Sequence, residues 1–393
     1  RGLSVRATRA AVGACGLAVA LVASACTGGD DSSGEPTATT VSLGEPPDGS
    51  EGGSDFQPSD ESTDGAPAGD AGTGPPPGAG APIGDGSRAP LTGQRVGAAA
   101  VVARPAIAAV LDNADPALQG QAGLPAADLV VETVVEGGET RLLALFQSQS
   151  PGRIGPIRSA RTQDVAVLSA FDTPVLATSG GNEGVQQVLG GAPLIDAGAP
   201  GSPDAYQQGN FADPHNLFTD TDRLWSLVAG QAAAPAQHFD YVGPNQEPAG
   251  RPVNGFSLTM GVRAIDWTWN AGSGWFERTQ DGSPHLDPAS STPLSAENVV
   301  VLVAPTQPSF VDDRSPEAQT VGTGIAYVFA NGELLEGWWR RTGETAPFRL
   351  IDGVGDPLPL LPGRTWIEIA PFDTQTAPGE TPTDISIFFG AQL

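Results

Sequence analysis

The chain has 393 residues, 45 acidic and 19 basic, and a formal net charge of −26. This balance leaves no broad basic surface, so nucleic-acid binding is excluded. Every basic residue is an arginine, because the sequence contains no lysine. That absence excludes lysine Schiff-base chemistry and a Walker-type phosphate loop.

Residues 1–26 have the pattern of a bacterial lipoprotein signal peptide. Arg1, Arg6 and Arg9 precede an apolar run over residues 10–25, which ends in Ala-Ser-Ala-Cys at 23–26. Small residues before a cysteine are typical of a lipobox, so Cys26 is the predicted lipidation site. This predicts a membrane anchor on the extracytoplasmic face of the bacterial cell membrane. An ordinary secretory signal or a short anchor helix is the alternative.

Residues 27–89 are predicted to be a disordered acidic linker, because glycine, proline, serine and acidic residues dominate them. The two cysteines are Cys15, inside the signal, and Cys26. The remaining domain would then have no thiol pair, hence no disulfide and no thiolate metal site.

Residues 90–235 are predicted to form an N-terminal α/β (or α+β) domain with a mixed sheet. An apolar run at 104–111 reads as a strand, 130–135 and 140–146 read as a hairpin around Gly137-Gly138, and 173–178 reads as a buried strand. The tip at 112–116 would be a plain turn or a calcium loop, although it lacks the EF-hand spacing.

Arginines in this domain make up a candidate anion site. Arg141 begins an aliphatic strand, so it needs a partner, which is either Glu132, Glu136 or Asp128, or an external anion.

A loop over residues 150–159 carries Arg153 and Arg158, and Arg161 follows at the start of a predicted helix capped by Ser159. Arginine binds phosphate or carboxylate through two parallel hydrogen bonds. The predicted ligand-binding residues are Arg141, Arg158, Arg161, Gly180, Gly181 and Asn216. A purely internal network with Asp164 and Asp172 is the alternative.

Catalytic residues are not identified by the sequence, and whether the protein is an enzyme stays open. His215 and Asp164 are the candidates for an acid/base, since histidine titrates near neutrality. A histidine that merely fixes its loop is the alternative for His215. No HExxH or paired-histidine spacing exists, so no metal and no cofactor are expected.

Residues 236–249 are predicted to be a linker, 250–376 a smaller, mostly β C-terminal domain, and 377–393 a polar tail with one apolar patch at 385–389. Strands are predicted at 298–304, 325–329, 334–340 and 365–369. Trp338-Trp339 would either form a carbohydrate-stacking surface or pack in the core.

Several ordered motifs resemble one known family. They are PLTG (90–93), RPAIAAVLDN (104–113), ADLVVETVVEGGETRLLALFQS (127–148), GPIRSAR (155–161), SGG (179–181), DPHNLF (213–218), NVVVL (298–302), GTGIAYVFANGELLEGWW (322–339) and PGRTWIEI (362–369). Together they resemble the YerB-like bacterial lipoproteins, which have paired N- and C-terminal domains of unknown function. The resemblance covers about residues 90–372 and implies an architecture and a surface location, but no reaction.

Two hypotheses about function follow. In the first, a non-enzymatic envelope protein binds an anionic cell-wall polymer, precursor or peptide through the arginines. In the second, the same arginines neutralise phosphates in an envelope phosphotransferase or phosphodiesterase, with His215 or Asp164 moving the proton.

Overall fold

A computed structural model describes residues 38–41, 88–97, 101, 103–243, 246–372 and 385–389. Cys26 and the predicted signal peptide lie outside the described residues. Within those ranges, no helix is long and apolar enough to cross a membrane.

The described helices are short: α1 (Asp115–Leu118), α2 (Thr162–Leu168), α3 (Glu183–Leu189) and α4 (Thr221–Leu227). The strands of the first half are β1 (Ala38–Val41), β2 (Ile107–Asp112), β3 (Leu129–Val134), β4 (Thr140–Phe146), β5 (Val175–Ala177), β6 (Ile195–Asp196), β7 (Gln207–Gln208) and β8 (Leu217–Phe218). Those of the second half are β9 (Arg251–Met260), β10 (Arg263–Asn270), β11 (Trp275–Gln280), β12 (Ser283–Pro284), β13 (Leu286–Asp287), β14 (Thr292–Pro293), β15 (Ser295–Ala296), β16 (Asn298–Ser309), β17 (Asp312–Ala318), β18 (Gly322–Ala330), β19 (Glu333–Arg341), β20 (Arg349–Ile351), β21 (Thr365–Phe372) and β22 (Ile385–Phe389).

A central mixed sheet runs through both halves of the chain, in the order β6-β5-β2-β4-β3-β21-β16-β18-β19. The pairs β5–β6, β2–β5, β3–β21 and β16–β21 are parallel, and the others are antiparallel. The β3–β21 pair joins the strands of the first half to those of the second. The predicted fold class, a mixed sheet followed by a mostly β part, is confirmed.

Both faces of the central sheet are buried, as the alternation along β4 predicts. Leu142, Ala144 and Phe146 face a second sheet, β1-β22-β9-β10-β11-β15, and helix α4. Leu143 and Leu145 face helices α2 and α3. Burial of each of these leucine and phenylalanine side chains stabilises the fold by ~1.5–3 kcal/mol. Packing therefore contributes more here than the intrinsic strand propensity of the residues.

Three predicted boundaries differ from the structure. Residues 38–41, predicted as disordered linker, form β1, since Thr39, Thr40 and Val41 are β-branched and suit a strand. Residues 385–389, predicted as part of a tail, form β22 between β1 and β9, where Ile385 and Ile387 are buried.

The predicted linker at 236–249 also packs against the core. His238 is buried and stacks on Phe171, with their ring centroids 4.1 Å apart. Of the two adjacent tryptophans, Trp339 is buried and donates its indole N–H to the Val303 carbonyl over 2.8 Å. Trp339 is therefore a core residue rather than part of a stacking surface.

Candidate functional site

The candidate site lies at the carboxyl ends of the parallel strands β2 and β5. Residues 157–160 run between these ends: the Arg158 amide donates to the Val110 carbonyl (2.8 Å), and the Ser179 amide donates to the Arg158 carbonyl (2.9 Å). This backbone pairing carries the arginine-rich loop across the sheet edge. Ligands of open α/β sheets bind at this end of the strands.

Five side chains meet there, and we refer to them as the loop cluster: Asp112, Arg141, Arg158, Arg161 and His215. Asp112 is the last residue of β2 and stands opposite Arg141 of β4 in the strand register. Its Oδ2 lies 3.4 Å from Arg158 Nε and 2.6 Å from His215 Nδ1. A single carboxylate thus joins the arginine-rich loop to the loop of His215.

The Asp112–His215 pair fixes the orientation of the imidazole. The carboxylate accepts from Nδ1–H over 2.6 Å, and the other ring nitrogen, Nε2, has no partner among the described residues. The side chain is 17% exposed, so solvent reaches it. A histidine held in this way presents Nε2 either for hydrogen bonding or for proton transfer.

Arg161 already has an internal partner. Its Nε and Nη2 donate to the two oxygens of Glu136 over 2.6 and 2.7 Å, and Ser315 also donates to Glu136. Burial alone would raise the pKa of Glu136, but the hydrogen bonds from Arg161 and Ser315 lower it to about 2. The prediction that a helix-terminal Arg161 is free for an anion is therefore not supported by its contacts.

Helix α2 begins two residues later than predicted, and a carboxylate of the chain caps its start. Arg161, and not Ser159, is the N-cap, and the Asp164 carboxylate accepts from the Arg161 amide over 2.7 Å. Asp164 is 3% exposed, and its burial raises its pKa to about 6 despite that hydrogen bond. The Arg161 amide at the start of this helix is therefore not free for an external anion.

Arg141 differs from its neighbours because its charge is incompletely compensated. It is 8% exposed and donates to the Ser159 carbonyl over 2.8 Å. In the described part of the chain, no carboxylate oxygen lies within 4 Å of its guanidinium, and neither Glu132, Glu136 nor Asp128 is its partner. Burial, followed by the positive charges of Arg161 and Arg158, lowers the pKa of Arg141 to about 10.

The other arginine and the other predicted ligand-binding residues contribute less to the candidate site. The Gly180 amide donates to Thr178 Oγ1 over 3.1 Å, so it is not free for an anion, and Gly181 packs against Val185. Asn216 is half-buried beside His215, and its carbonyl accepts from the Gly209 amide over 2.7 Å. Arg153 lies apart, with its guanidinium 3.9 Å above the Phe218 ring.

Sequence reasoning missed the central role of Asp112, which it placed in a turn or a calcium loop. The available signal was its position at the end of a buried strand, whose parallel neighbour β5 is followed by a turn at Gly180. Asp172 is not part of the cluster, since its carboxylate accepts from the Ala236 amide over 2.7 Å. Among the residues that the structure describes, no three His, Cys, Asp or Glu side chains are grouped to hold a metal ion.

Two consecutive segments of the chain contribute strands to one mixed sheet. This architecture defines the class of protein. Residues 91–234 match the family described as Protein of unknown function (DUF3048) N-terminal domain, and residues 256–367 match its C-terminal domain. The chain belongs to this YerB-like family of paired domains.

A curated relative is the "Putative lipoprotein YerB" of Bacillus subtilis (strain 168). It is 28% identical over 294 residues, which cover 72% of this chain and 86% of the relative. The crystal structure of YerB protein from Bacillus subtilis matches with a TM-score of 0.63 and 24% identity, over 72% of this chain and 97% of that one. The likeness to the solved structure supports the fold.

Proposed function

We propose that the protein is a cell-surface lipoprotein, anchored through Cys26, that binds an anionic group of a cell-envelope ligand at the loop cluster. The anchor rests on the lipobox pattern at residues 23–26 and on the similarity to a relative named as a putative lipoprotein. The ligand would be a phosphorylated wall polymer, a precursor or a peptide.

One observation carries the ligand proposal: Arg141 is a nearly buried cation that no carboxylate contacts in the described structure. Such a charge is unfavourable in a poorly solvated place. The positive charges of Arg161 and Arg158 make it more so, and Asp112 and Asp164 offset only part of this effect on its pKa. Bound phosphate or carboxylate would relieve this repulsion.

Arg158 is the member of the cluster best placed to reach a ligand. Its side chain is 21% exposed, and it contacts Asp112 at 3.4 Å and the Pro214 carbonyl at 3.1 Å. These contacts leave Nη2 without a partner among the described residues. His215 contacts the same Asp112 oxygen through Nδ1, and its Nε2 has no partner among the described residues, so the imidazole is a second candidate contact for this ligand.

A thermal-shift screen of the protein against inorganic pyrophosphate and phosphorylated wall precursors tests this proposal. A ligand at 100 times its Kd should stabilise the fold by about 2.7 kcal/mol. The shift should fall to about half or less in Arg158→Gln and stay unchanged in Arg349→Gln, which changes a half-exposed arginine on β20. An undiminished shift in Arg158→Gln would contradict the site.

The anchor has its own test, in which the chain is expressed in a bacterial host and the cells are fractionated. The wild-type chain should sediment with the membrane and incorporate labelled fatty acid, whereas Cys26→Ser should do neither. Membrane association without label in both variants would instead indicate an anchor helix.

The Asp112–His215 pair favours a second candidate function, an envelope phosphotransferase or phosphodiesterase. The Asp112 carboxylate orients the ring, so His215 Nε2 would move the proton while Arg158 neutralises phosphate. Asp164 is less suited, because it is buried in the cap of α2. Hydrolysis of bis-(p-nitrophenyl) phosphate that is lost in both His215→Ala and Asp112→Asn would support catalysis. Phosphate binding without any turnover would leave the binding function alone.

A further inference from the structure

A groove lies where both halves of the chain meet the β10–β11 hairpin, away from the loop cluster. We propose that it binds a neutral glycan chain. Its volume is about 630 Å³, which is within the range of roughly 300–1,000 Å³ typical of small-molecule sites. Gln94, Pro125 and Gln149 line it from the first half, and Trp275, Glu277 and Arg364 line it from the second.

Trp275 supplies a rigid aromatic platform. It is half-buried at the start of β11, and the Arg364 guanidinium lies 4.5 Å from the centre of its ring. Arg364 is itself held by the Pro125 carbonyl at 2.6 Å and by Glu297 at 3.9 Å. Because the indole is fixed before any ligand arrives, little rotamer entropy is lost on binding.

Hydrogen-bonding groups surround the platform. Glu277 lies two residues after Trp275, on the same face of β11, and opposite Ser295 in the strand register. One Glu277 oxygen accepts from Asn270 over 2.7 Å. The second Glu277 oxygen, the Trp275 indole N–H and the side-chain amides of Gln94 and Gln149 have no hydrogen-bond partner within the described ranges.

This combination fits a hydroxylated ring better than other ligands. The apolar C–H face of a sugar packs on an indole, while its hydroxyl groups both donate to carboxylates and accept from amides. Glu277 and Glu297 outnumber Arg364, so the charged lining has a net charge of one negative unit. An acidic polymer is therefore disfavoured here, in contrast to the loop cluster.

The test is isothermal titration of the full chain with tetra-N-acetylchitotetraose and cellotetraose as neutral glycans, and with tetragalacturonate as an acidic one. We expect saturable binding of a neutral glycan and none of the acidic one. Trp275→Ala should raise the Kd by about tenfold or more, through lost stacking.

Three variants separate the glycan site from a general effect on folding. Gln149→Ala changes an exposed side chain and should weaken binding several-fold while the unfolding transition stays unchanged. Trp275→Phe should retain part of the affinity, because a ring remains. Trp338→Ala removes a half-buried tryptophan outside the groove and should leave the Kd unchanged. Failure of both neutral glycans to bind, or equal losses in Trp275→Ala and Trp338→Ala, would overturn the proposal.

Discussion

Two arginine-centred groups in this molecule show how differently a protein can treat the same charge. Arg278 on β11 is fully buried, and it donates to both oxygens of Glu132 over 2.8 and 3.1 Å. Its Nη1 also donates to Gln280 and to His285 Nδ1, over 2.8 and 2.5 Å. We refer to these four residues together with Glu368 as the core network. In the loop cluster, by contrast, Arg141 contacts no carboxylate among the described residues.

Two other members of the core network, Glu368 and His285, have pKa values that are shifted by their buried surroundings. Glu368 is the register partner of Glu132 on the parallel strand β21, and it accepts from the Trp267 N–H over 2.9 Å. Burial and the adjacent Glu132 raise the pKa of Glu368 well above its usual value. Burial beside Arg278 lowers the pKa of His285, whose Nε2–H donates to Gln121. The comparison teaches that a cation paired with a buried carboxylate joins the two halves of the chain, whereas a cation that no carboxylate contacts is available to a ligand.

The largest expected effect is the loss of Arg278. Arg278→Met leaves the buried Glu132 charge without its partner, which should cost about 3–5 kcal/mol of unfolding free energy. Urea denaturation at pH 7 measures it. The double variant with Glu132→Gln should recover much of the loss, because no lone charge remains. A single variant as stable as wild type would mean that the core network is not what joins the halves.

A smaller effect is expected for Glu136, which neutralises Arg161. Its folded pKa of about 2 lies below its usual 4.5, so the stabilisation is present above pH 4.5 and is lost as pH falls towards 2. Because 31% of the side chain is exposed, screening reduces the contribution to about 1–2 kcal/mol. Glu136→Gln should be less stable at pH 7, and its stability should change less between pH 5 and pH 2. Parallel pH profiles for variant and wild type would contradict this assignment.

Glu368→Gln should have a still smaller effect on the free energy of unfolding near pH 4, where the wild-type glutamic acid is neutral in the fold, as the glutamine of the variant is. The folded pKa is raised, so wild-type stability is fully present below the unfolded value and declines as pH rises towards the folded one. The variant has no such titration, so its stability relative to that of wild type should increase between pH 5 and pH 8. Denaturant midpoints across that range measure the difference. A variant that loses stability relative to wild type as pH rises would show that Glu368 is ionised in the fold.

The smallest expected effect on stability is that of Arg158→Gln. Arg158 meets the nearly buried Asp112 at the long distance of 3.4 Å, and Asp112 keeps its 2.6 Å contact with His215 in the variant. The loss should therefore be close to the upper end of the ~0–1 kcal/mol of a weak ion pair. The variant's thermal unfolding without ligand should be nearly that of wild type, although its binding should be weaker. A large loss of stability would place Arg158 with the structural arginines instead.

The sequence predicted the structure best where a single local rule determines it. Alternation predicted the faces of β4, and the turn at Gly137-Gly138 predicted the hairpin. It gave less for the sites, because the partners of Arg141, Arg161 and Arg278 come from residues far away along the chain. Glu136 is 25 positions from Arg161, and Glu132 is 146 positions from Arg278. The short apolar patch at 385–389 was misassigned for the same reason, since its partner β9 lies over a hundred residues earlier.

The central claim is that the loop cluster retains positive charge for a ligand, and titration of the intact chain with inorganic pyrophosphate tests it most directly. The account predicts saturable binding whose Kd rises by about tenfold or more in Arg158→Gln, as expected when a charge-assisted contact is lost. It predicts no change in Arg349→Gln. Equal affinities in all three proteins, or no binding to any of them, would contradict it.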